Sequence, residues 1–462
     1  MKFFLIYIIL NIPNYLTGQA KNVVDFTFLE SKIKNVYAGY KDKITEKEFQ
    51  QLFNETIKSK SKDTFALLSK LTSFFDDHHL SLFEKIKLKD VDTLQCKKNI
   101  SEVYFNHTKP KLKEKGYEGY WINEVNTIVI YFKKKSLNNY EGYITETNNG
   151  MPLGLSIIKF TKNKSNRFVS DCLISSGQSS DIYRVFTKSF FKSKNVLIAN
   201  SYYKWKKIKT YNRPILALKK EFNFKPSIEP LDSNTTLIRM PTFSGNSDKL
   251  YDSLIKLNYD KIRESKTLII DLRNNGGGTT NGFDNLLPFI CNKPLITCGG
   301  YVLCSNDIIE EAKSDVEYYK KKNNIKRLNY SNNYLDSLLK YKGNFLYVKE
   351  DTINFSSILN NKVKNVALIT NNATRSAAEL IILYLRGHEK VTVFGENSAG
   401  AVDYLDIFTY KLPVSKFVLW VATVKRYLSS SNDKLDSDGL IPNISIPDDV
   451  ENWIDFVKKY YE

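Results

Sequence analysis

The sequence predicts an α/β protein whose C-terminal half is a layered domain built around a largely parallel sheet. From about residue 223, strand patterns such as "TLIIDLR" (267–273) and "NVALIT" (365–370) alternate with a helical pattern near 247–264 and another that opens at Ser376. Alternating strands and helices are typical of a sheet covered by helices. A charged stretch at 306–329 predicts a surface helix inserted in this domain.

Two other patterns precede this domain. Residues 21 to about 90 carry apolar side chains at helical spacing, as in "TFALLSKLTSFF". From about 125 to 215 the chain is rich in β-branched and aromatic residues separated by Asn/Gly turns, which predicts a small β-rich domain. The predicted division is a signal peptide at 1–20, an N-terminal helical domain at 21–124, a β-rich middle domain at 125–222 and an α/β core at 223–462.

The first twenty residues, "MKFFLIYIILNIPNYLTGQA", have the pattern of a secretory signal peptide. A basic Lys2 precedes an apolar stretch from Phe3 to Leu10, and small residues follow at Gly18 and Ala20. Polar residues and a proline interrupt the apolar run well short of the roughly 20 residues that span a bilayer. We therefore expect an exported protein, periplasmic or extracellular, with no stable membrane insertion after cleavage.

The chain is strongly basic, with 68 Lys and Arg against 50 Asp and Glu and a net charge of +18. The lysines are spread along the whole chain, and no nucleic-acid-binding motif accompanies them. This distribution favours a lysine-rich solvated surface, with attraction to acidic substrates or anionic surfaces as the alternative. No nucleic-acid partner is expected.

The cysteines do not have metal-site spacing. There are five, Cys96, Cys172, Cys291, Cys298 and Cys304, without a C-x-x-C pair. In an exported protein a disulfide is most plausible among the last three, and the odd number leaves at least one thiol unpaired. No metal and no cofactor are expected.

Three segments carry possible chemistry. Gly276–Gly278 follow a buried strand, so their amides either point at an anion or form a tight turn. Ser376 opens a helix after a strand, where it is either an ordinary helix cap or a nucleophile. The pair His78 and His79 in "FFDDHHLSLF" is either a surface turn or the source of a base.

Four motifs in order resemble those of one enzyme family. "LIIDLRNNGGG", "VALITNNATRSAAEL", "VFGENSAGA" and "DGLIPNISIP" are similar to the successive motifs of the C-terminal processing (tail-specific) serine peptidases, which include the tricorn core peptidase. "FDDHHLSL" resembles the upstream D-G-H-T element of the tricorn-like branch. The resemblance covers roughly residues 230 to 450. It implies a crotonase/Clp-like peptidase core of stacked ββα units.

The resemblance implies a role for each matching residue. Ser376 falls on the nucleophile, and the Ala377 amide, with that of Gly277 or Gly278, falls on the oxyanion hole. The lysine of the tail-processing dyad is Ala401 here, so the resemblance implies a histidine base. That base is His79, or His78 if the alignment shifts by one residue, and the acid that orients it is Asp436, with Asp438 as the alternative.

The chain departs from the family pattern at two of these motifs. Asn443 replaces the last aspartate, and Arg375 precedes the nucleophile where small residues are usual. Arg375 either contacts a substrate carboxylate or is solvated. Glu379 matches the motif glutamate and is interpreted as structural.

The implied function is an exported serine endopeptidase acting on peptides or proteins. Two alternatives use the same scaffold, because a fold does not fix a function. One is a non-catalytic ligand- or peptide-binding protein. The other, disfavoured by the signal peptide, is a crotonase-like acyl-transfer enzyme.

Overall fold

A computed structural model describes residues 20–108, 116–125, 127–162, 167–175, 181–199, 203–208, 225–291, 293–353, 361–427, 434–436 and 438–462. The predicted signal peptide, apart from Ala20, and the predicted domain boundary after residue 222 lie outside these ranges. In the part of the chain that is described, no helix combines the length and apolarity needed to cross a membrane.

The N-terminal region is helical, as predicted, up to residue 73. Its helices are α1 (Ala20–Asn35), α2 (Tyr40–Lys43), α3 (Glu46–Ile57) and α4 (Thr64–Ser73), and α5 (Thr93–Thr108) follows later. Thr45 and Glu48 form a capping box at the start of α3. Buried side chains such as Leu29, Phe49 and Leu68 pack into one core with Leu419 and Val421 from the C-terminal part of the chain.

The middle region closes into a barrel of eight antiparallel strands. These are β2 (Gly119–Asn123), β3 (Ile128–Lys134), β4 (Asn139–Thr147), β5 (Ser156–Thr161), β6 (Arg167–Ser175), β7 (Ile182–Ser193), β8 (Val196–Ala199) and β9 (Tyr203–Lys207). Each strand pairs with two others in the ring β7-β6-β5-β4-β3-β2-β9-β8, and β8 pairs with β7 to close it. Trp121, Phe132, Phe160 and Leu197 belong to its buried core.

A further set of strands extends this sheet toward the C-terminal core. They are β1 (Ser81–Ile86), β14 (Gly300–Leu303), β15 (Phe345–Val348), β19 (Tyr404–Lys411) and β20 (Val418–Arg426). β1 pairs antiparallel with β20, Ser81 opposite Trp420, and also with β7 of the barrel. The helical prediction for residues 81–86 is therefore wrong. The apolar run of β20 also joins this antiparallel sheet. Such a run does not specify strand direction, so the sequence did not show which of the two sheets it would join.

The core contains the predicted, largely parallel sheet. Its order is β10 (Ser227–Pro230), β11 (Thr235–Arg239), β12 (Thr267–Asp271), β17 (Asn365–Thr370), β18 (Val391–Gly395) and β21 (Ile444–Ser445), and β10 alone is antiparallel to its neighbour. One face packs against α6 (Ser247–Leu257), α7 (Tyr259–Glu264), α8 (Leu287–Ile290) and α11 (Ala377–Leu385), and the other against α12 (Trp453–Tyr461). Along β12, Leu268 and Ile270 face the first layer and Ile269 the second, the period of two that a strand requires.

The charged insertion is a helical hairpin and not a single helix. α9 (Asn306–Lys321) and α10 (Ile325–Lys340) are separated at Asn323, whose φ is 50°. Asn is one of the few residues that adopt a left-handed backbone readily, which explains why the first helix stops at Asn323.

The strands β13 (Leu295–Ile296) and β16 (Thr352–Ile353) pair outside the two larger sheets.

The five cysteines are free thiols, so the predicted disulfide among Cys291, Cys298 and Cys304 is wrong. Each of the three has a different neighbour. The Cys291 sulfur lies 3.9 Å from Nε2 of His388, that of Cys298 lies 3.5 Å from the Tyr384 hydroxyl, and that of Cys304 lies 3.7 Å from the Val302 carbonyl.

Candidate active site

Ser376 sits at a strained turn between β17 and α11. Its backbone has φ 55° and ψ −124°, although an ordinary helix cap has an extended conformation. Ser305, which caps α9, shows the ordinary case with φ −74° and ψ 162°, and its hydroxyl accepts from the Ile308 amide. A non-glycine residue held in a sparsely populated region costs about 1–3 kcal/mol. Capping alone does not account for that strain, whereas a sharp strand-to-helix turn is the geometry that exposes a nucleophile.

The Glu379 side chain holds this turn in place through hydrogen bonds. Its fully buried carboxylate accepts from the Ser376 amide at 2.9 Å, the Ser398 hydroxyl at 2.5 Å, and the amides of Gly400 and Ala401 at 2.8 and 2.9 Å. Burial raises the pKa of Glu379, and these hydrogen bonds oppose the shift. The motif glutamate thus connects the Ser376 turn to the loop after β18, which carries Ala401 where the resemblance places the lysine of the dyad.

The glycine loop after β12 lies directly against Ser376. A Cβ on Gly277, whose φ is 89°, would come within 2.7 Å of the Ser376 Cβ and 3.1 Å of the Ala377 amide nitrogen. A side chain at this position would therefore push the loop away from Ser376. Gly277 permits the close approach.

The two glycine amides differ in availability. The Gly277 amide donates to the side-chain oxygen of Asn275 at 2.9 Å. The loop pairs with Phe243 through the Gly277 carbonyl and the Thr279 amide, which leaves the intervening Gly278 amide facing away from that pairing. The Ala377 amide is the first of α11, where amides have no acceptor within the helix. Of the predicted oxyanion donors, the Gly278 and Ala377 amides are therefore the pair that remains available to an acceptor.

His79 is held in one tautomer by a main-chain carbonyl. The residue is 4% exposed, and its Nδ1 lies 2.5 Å from the Tyr404 carbonyl oxygen. A carbonyl only accepts, so Nδ1 carries the proton and Nε2 is left as an acceptor. The buried Asp77 accepts from the His79 amide at 2.8 Å and from the Tyr37 hydroxyl at 2.7 Å, which fixes the main chain of the His motif.

Asp436 lies near Asp77 of the histidine motif and bonds to groups other than His79. Its carboxylate accepts from the Asp403 amide at 3.0 Å and from the Val402 amide at 3.4 Å, and it pairs with Lys43 at 3.3 Å. Burial, together with the Asp77 carboxylate, raises the pKa of Asp436 well above its usual range, and the Lys43 ammonium opposes this. The predicted direct contact between Asp436 and the histidine is replaced by an indirect one. Asp436 binds the amides of Val402 and Asp403, and the carbonyl of the next residue, Tyr404, accepts from His79.

The alternative site residues lie in different settings. Asp438 is exposed and forms an ion pair with Arg167 of the barrel at 2.8 Å. Burial and the nearby Arg375 guanidinium lower the pKa of His78 to about 4. Asn443 accepts from the Val393 amide at 2.9 Å, a bond that an aspartate would also make, so this departure preserves a structural contact.

Arg375 connects the serine turn with the histidine motif. Its Nε lies 3.5 Å from the position that a Cβ on Gly276 would take. The guanidinium also lowers the pKa of both His78 and His79 by its charge. The structure therefore brings the Ser376 turn, the glycine loop and the histidine motif to one place.

Sequence reasoning missed the Tyr404 carbonyl, Asn275 and Lys43. Asn275 precedes the glycine triplet directly, and its short polar side chain is typical of residues that bond to nearby main-chain amides. That position was a usable signal. Among the described residues, no group of three or more His, Cys, Asp or Glu side chains is arranged to hold a metal ion.

Comparison with known proteins agrees with this geometry. Residues 234–446 match the model of peptidase family S41. No curated protein matches the chain. Among solved structures, mature CPAF complexed with lactacystin aligns with a TM-score of 0.50 at 11% identity, over 93% of this chain and 94% of CPAF. The predicted resemblance to this family and the predicted fold class are confirmed.

Two further solved structures align more distantly. The photosystem II D1 C-terminal processing protease aligns at 12% identity over 92% of this chain and 93% of its own, with a TM-score of 0.37. The tricorn protease aligns at 12% identity over 92% of this chain and 34% of its own, with a TM-score of 0.34.

Proposed function

This chain carries a serine peptidase domain of family S41, and from that premise we propose that it is an exported endopeptidase with Ser376 as nucleophile and His79 as base. The observation that carries the proposal is the strained backbone of Ser376 at a strand-to-helix turn, with Gly277 packed against its Cβ. Such strain is found at functional sites, and on a serine at a strand-to-helix turn it favours the catalytic alternative over the binding one. Export rests on the signal-peptide pattern of residues 1–20.

In the proposed reaction the Ser376 hydroxyl attacks the peptide carbonyl carbon as Nε2 of His79 takes its proton. The Gly278 and Ala377 amides donate to the resulting oxyanion, each contributing roughly 3 kcal/mol to lowering the barrier. The peptide C–N bond then breaks, and the imidazolium returns the proton to the leaving amine. A water molecule, deprotonated by the same imidazole, releases the acyl group from Ser376.

His79 needs a partner that keeps its ring in place while it gains and loses a proton. The Tyr404 carbonyl accepts from Nδ1 in both protonation states. The carboxylate of Asp77 favours the imidazolium electrostatically. We propose that Asp436 acts as a positioning residue through the Val402–Tyr404 segment, and that Arg375 contacts a carboxylate of the substrate.

A fluorophosphonate probe tests the proposed function. Wild-type protein should react in a 1:1 ratio, and mass spectrometry of the digested adduct should place the phosphonyl group on Ser376. Heat-unfolded protein serves as the control, because the activated hydroxyl exists only in the folded site. Absence of labelling in folded protein would favour the non-catalytic alternative, and an adduct at another serine would refute the proposed nucleophile.

The pH dependence of kcat/KM should reveal the histidine. Burial lowers the pKa of His79, and the Asp77 charge and the Tyr404 carbonyl only partly oppose it. The base must be neutral to accept a proton, so activity should rise with pH through a value below about 6.5, the ordinary pKa of histidine. A pH–rate profile on an unstructured peptide measures this. An alkaline limb that persists in His79→Ala would identify a lysine base instead.

A further inference from the structure

One buried lysine of the barrel sits against the carboxyl-end edge of the core sheet. Lys204, on β9, is 2% exposed. Its ammonium forms an ion pair with Glu396 and lies 3.8 Å from Glu124 and 3.7 Å from Asp448. Burying a charge costs free energy unless the charge is paired, so the paired Lys204 marks a specific contact between the barrel and the core.

The groups around Lys204 stand where three parallel strands end. Glu396 follows β18, Asn371 follows β17, and Asn274 lies shortly after β12. The carboxyl ends of parallel strands meet at one edge of a sheet. The loop that donates to Glu379 follows β18, the Ser376 turn follows β17, and the glycine loop follows β12. The barrel therefore touches the edge from which the catalytic loops depart.

Glu124 continues this contact into the glycine loop. Its carboxylate accepts from Nδ2 of Asn371 at 3.3 Å, and the same Nδ2 lies 3.2 Å from Oδ1 of Asn274. Oδ1 of Asn371 accepts from the Asn274 amide at 2.9 Å. A carboxylate only accepts, so it holds Nδ2 of Asn371 as the donor and leaves Oδ1 to accept from the Asn274 amide.

Asn274 is the point where the loop changes direction. Its φ is 62°, a left-handed conformation, and Asn275 follows it with the side chain that binds the Gly277 amide. The main-chain carbonyl of Asn275 also accepts from the Arg375 amide at 3.0 Å. A loosened Asn274 would displace both the glycine amides and the residue before the nucleophile.

We propose that Glu124 of the barrel is a positioning residue for the oxyanion loop of the core, acting through Asn371 on Asn274. The expected effect on kcat rests on the proposed peptidase function, whereas the expected ordering of the 274–277 loop does not. The barrel would then be a part of the catalytic apparatus and not only an appended domain. Burial raises the pKa of Glu124, and the Lys204 ammonium 3.8 Å away opposes this shift and so favours the carboxylate form that accepts from Asn371.

The test is Glu124→Ala in the full chain, read by hydrogen exchange and by kinetics. Lys204 keeps Glu396 and Asp448 as partners in this variant, so the fold should persist. Amides of residues 274, 275 and 277, which are bonded in wild type, should exchange faster. We expect kcat to fall about 10- to 100-fold, as for outer-shell groups that orient reacting side chains, with KM changed less than about twofold.

Two further variants separate positioning from general stability. Glu124→Gln keeps an acceptor oxygen and should recover most of kcat. Glu141→Ala removes another partly buried barrel glutamate, which bonds Tyr143 at 2.6 Å and Lys159 at 3.2 Å, and should leave loop exchange and kcat at wild-type levels. A fall in melting temperature for Glu124→Ala with unchanged kcat per probe-reactive site would overturn the proposal.

The structural and functional claims fail in different ways. If wild-type protein neither cleaves peptides nor reacts with the probe, the proposed function fails. Hydrogen exchange then still decides the positioning claim, since faster exchange of the 274–277 loop in Glu124→Ala supports it. Exchange identical to wild type overturns it in either case.

Discussion

Ser376→Ala is expected to abolish peptide hydrolysis, lowering kcat by about 10⁴- to 10⁶-fold while the protein stays folded. The hydroxyl forms the covalent bond in the proposed mechanism, and the remaining oxyanion donors and binding contacts supply only residual catalysis. The substitution is small, and the Ser376 amide keeps its bond to Glu379. Steady-state kinetics on an unstructured peptide, with circular dichroism for the fold, measures both expectations.

Ser305→Ala is the matched control. Both serines stand at helix starts, but Ser305 has ordinary backbone geometry and its hydroxyl caps α9. Its loss should lower the free energy of unfolding by about 1 kcal/mol and leave kcat unchanged. Near-wild-type cleavage by Ser376→Ala would show that another residue is the nucleophile.

His79→Ala is expected to have the second largest effect, a loss of about 10⁴- to 10⁶-fold in kcat. In the proposed mechanism the His79 ring, held by the Tyr404 carbonyl, accepts the Ser376 proton, so its loss leaves that step without a base. Added imidazole should restore part of the activity, because the vacated space and the carbonyl acceptor remain. Single-turnover kinetics with and without imidazole tests the role directly.

The neighbouring histidine provides the comparison. His78→Ala should reduce kcat less than about tenfold, because burial and Arg375 already keep His78 neutral and no role in proton transfer is proposed for it. Asp436→Asn should also lose far less than His79→Ala, since it acts only through the Tyr404 segment. If His78→Ala were the inactive variant, the base would be one residue earlier in the sequence.

The parts of this site that the sequence could predict depend on side-chain identity. Ser376 and the glycine triplet stand in ordered motifs, and the alternation of strands and helices was sufficient to predict the parallel core. The partner of His79 had no such signal, because every residue has a main-chain carbonyl and nothing marks that of Tyr404. The motif position of Asp436 was visible in the sequence. Its actual partner, Lys43, comes from a distant helix and could not be inferred from spacing.

The choice between Gly277 and Gly278 shows a second limit. Both residues stand in one triplet, and only the rotation of the loop decides which amide is free. The side-chain oxygen of Asn275 accepts from the Gly277 amide, and this hydrogen bond forms only when the loop folds back on itself. The sheet that β20 joins was hidden for a similar reason, because β1 and β14, with which it pairs, lie far away in the chain.

The pairing of β1 with β20 has a consequence for biosynthesis. His79 precedes β1, and the Tyr404 carbonyl that holds its ring begins β19, which pairs with β20 as β1 does, so the proposed base is held in place only after these three strands have come together. A ribosome must therefore deliver the chain as far as the end of β20, Arg426, before the proposed catalytic centre can assemble. Contacts so distant in sequence also form slowly, because a large loop must be closed first. A nascent or C-terminally truncated peptidase would therefore not cleave the proteins around it, and no inhibitory segment would be needed to prevent such cleavage.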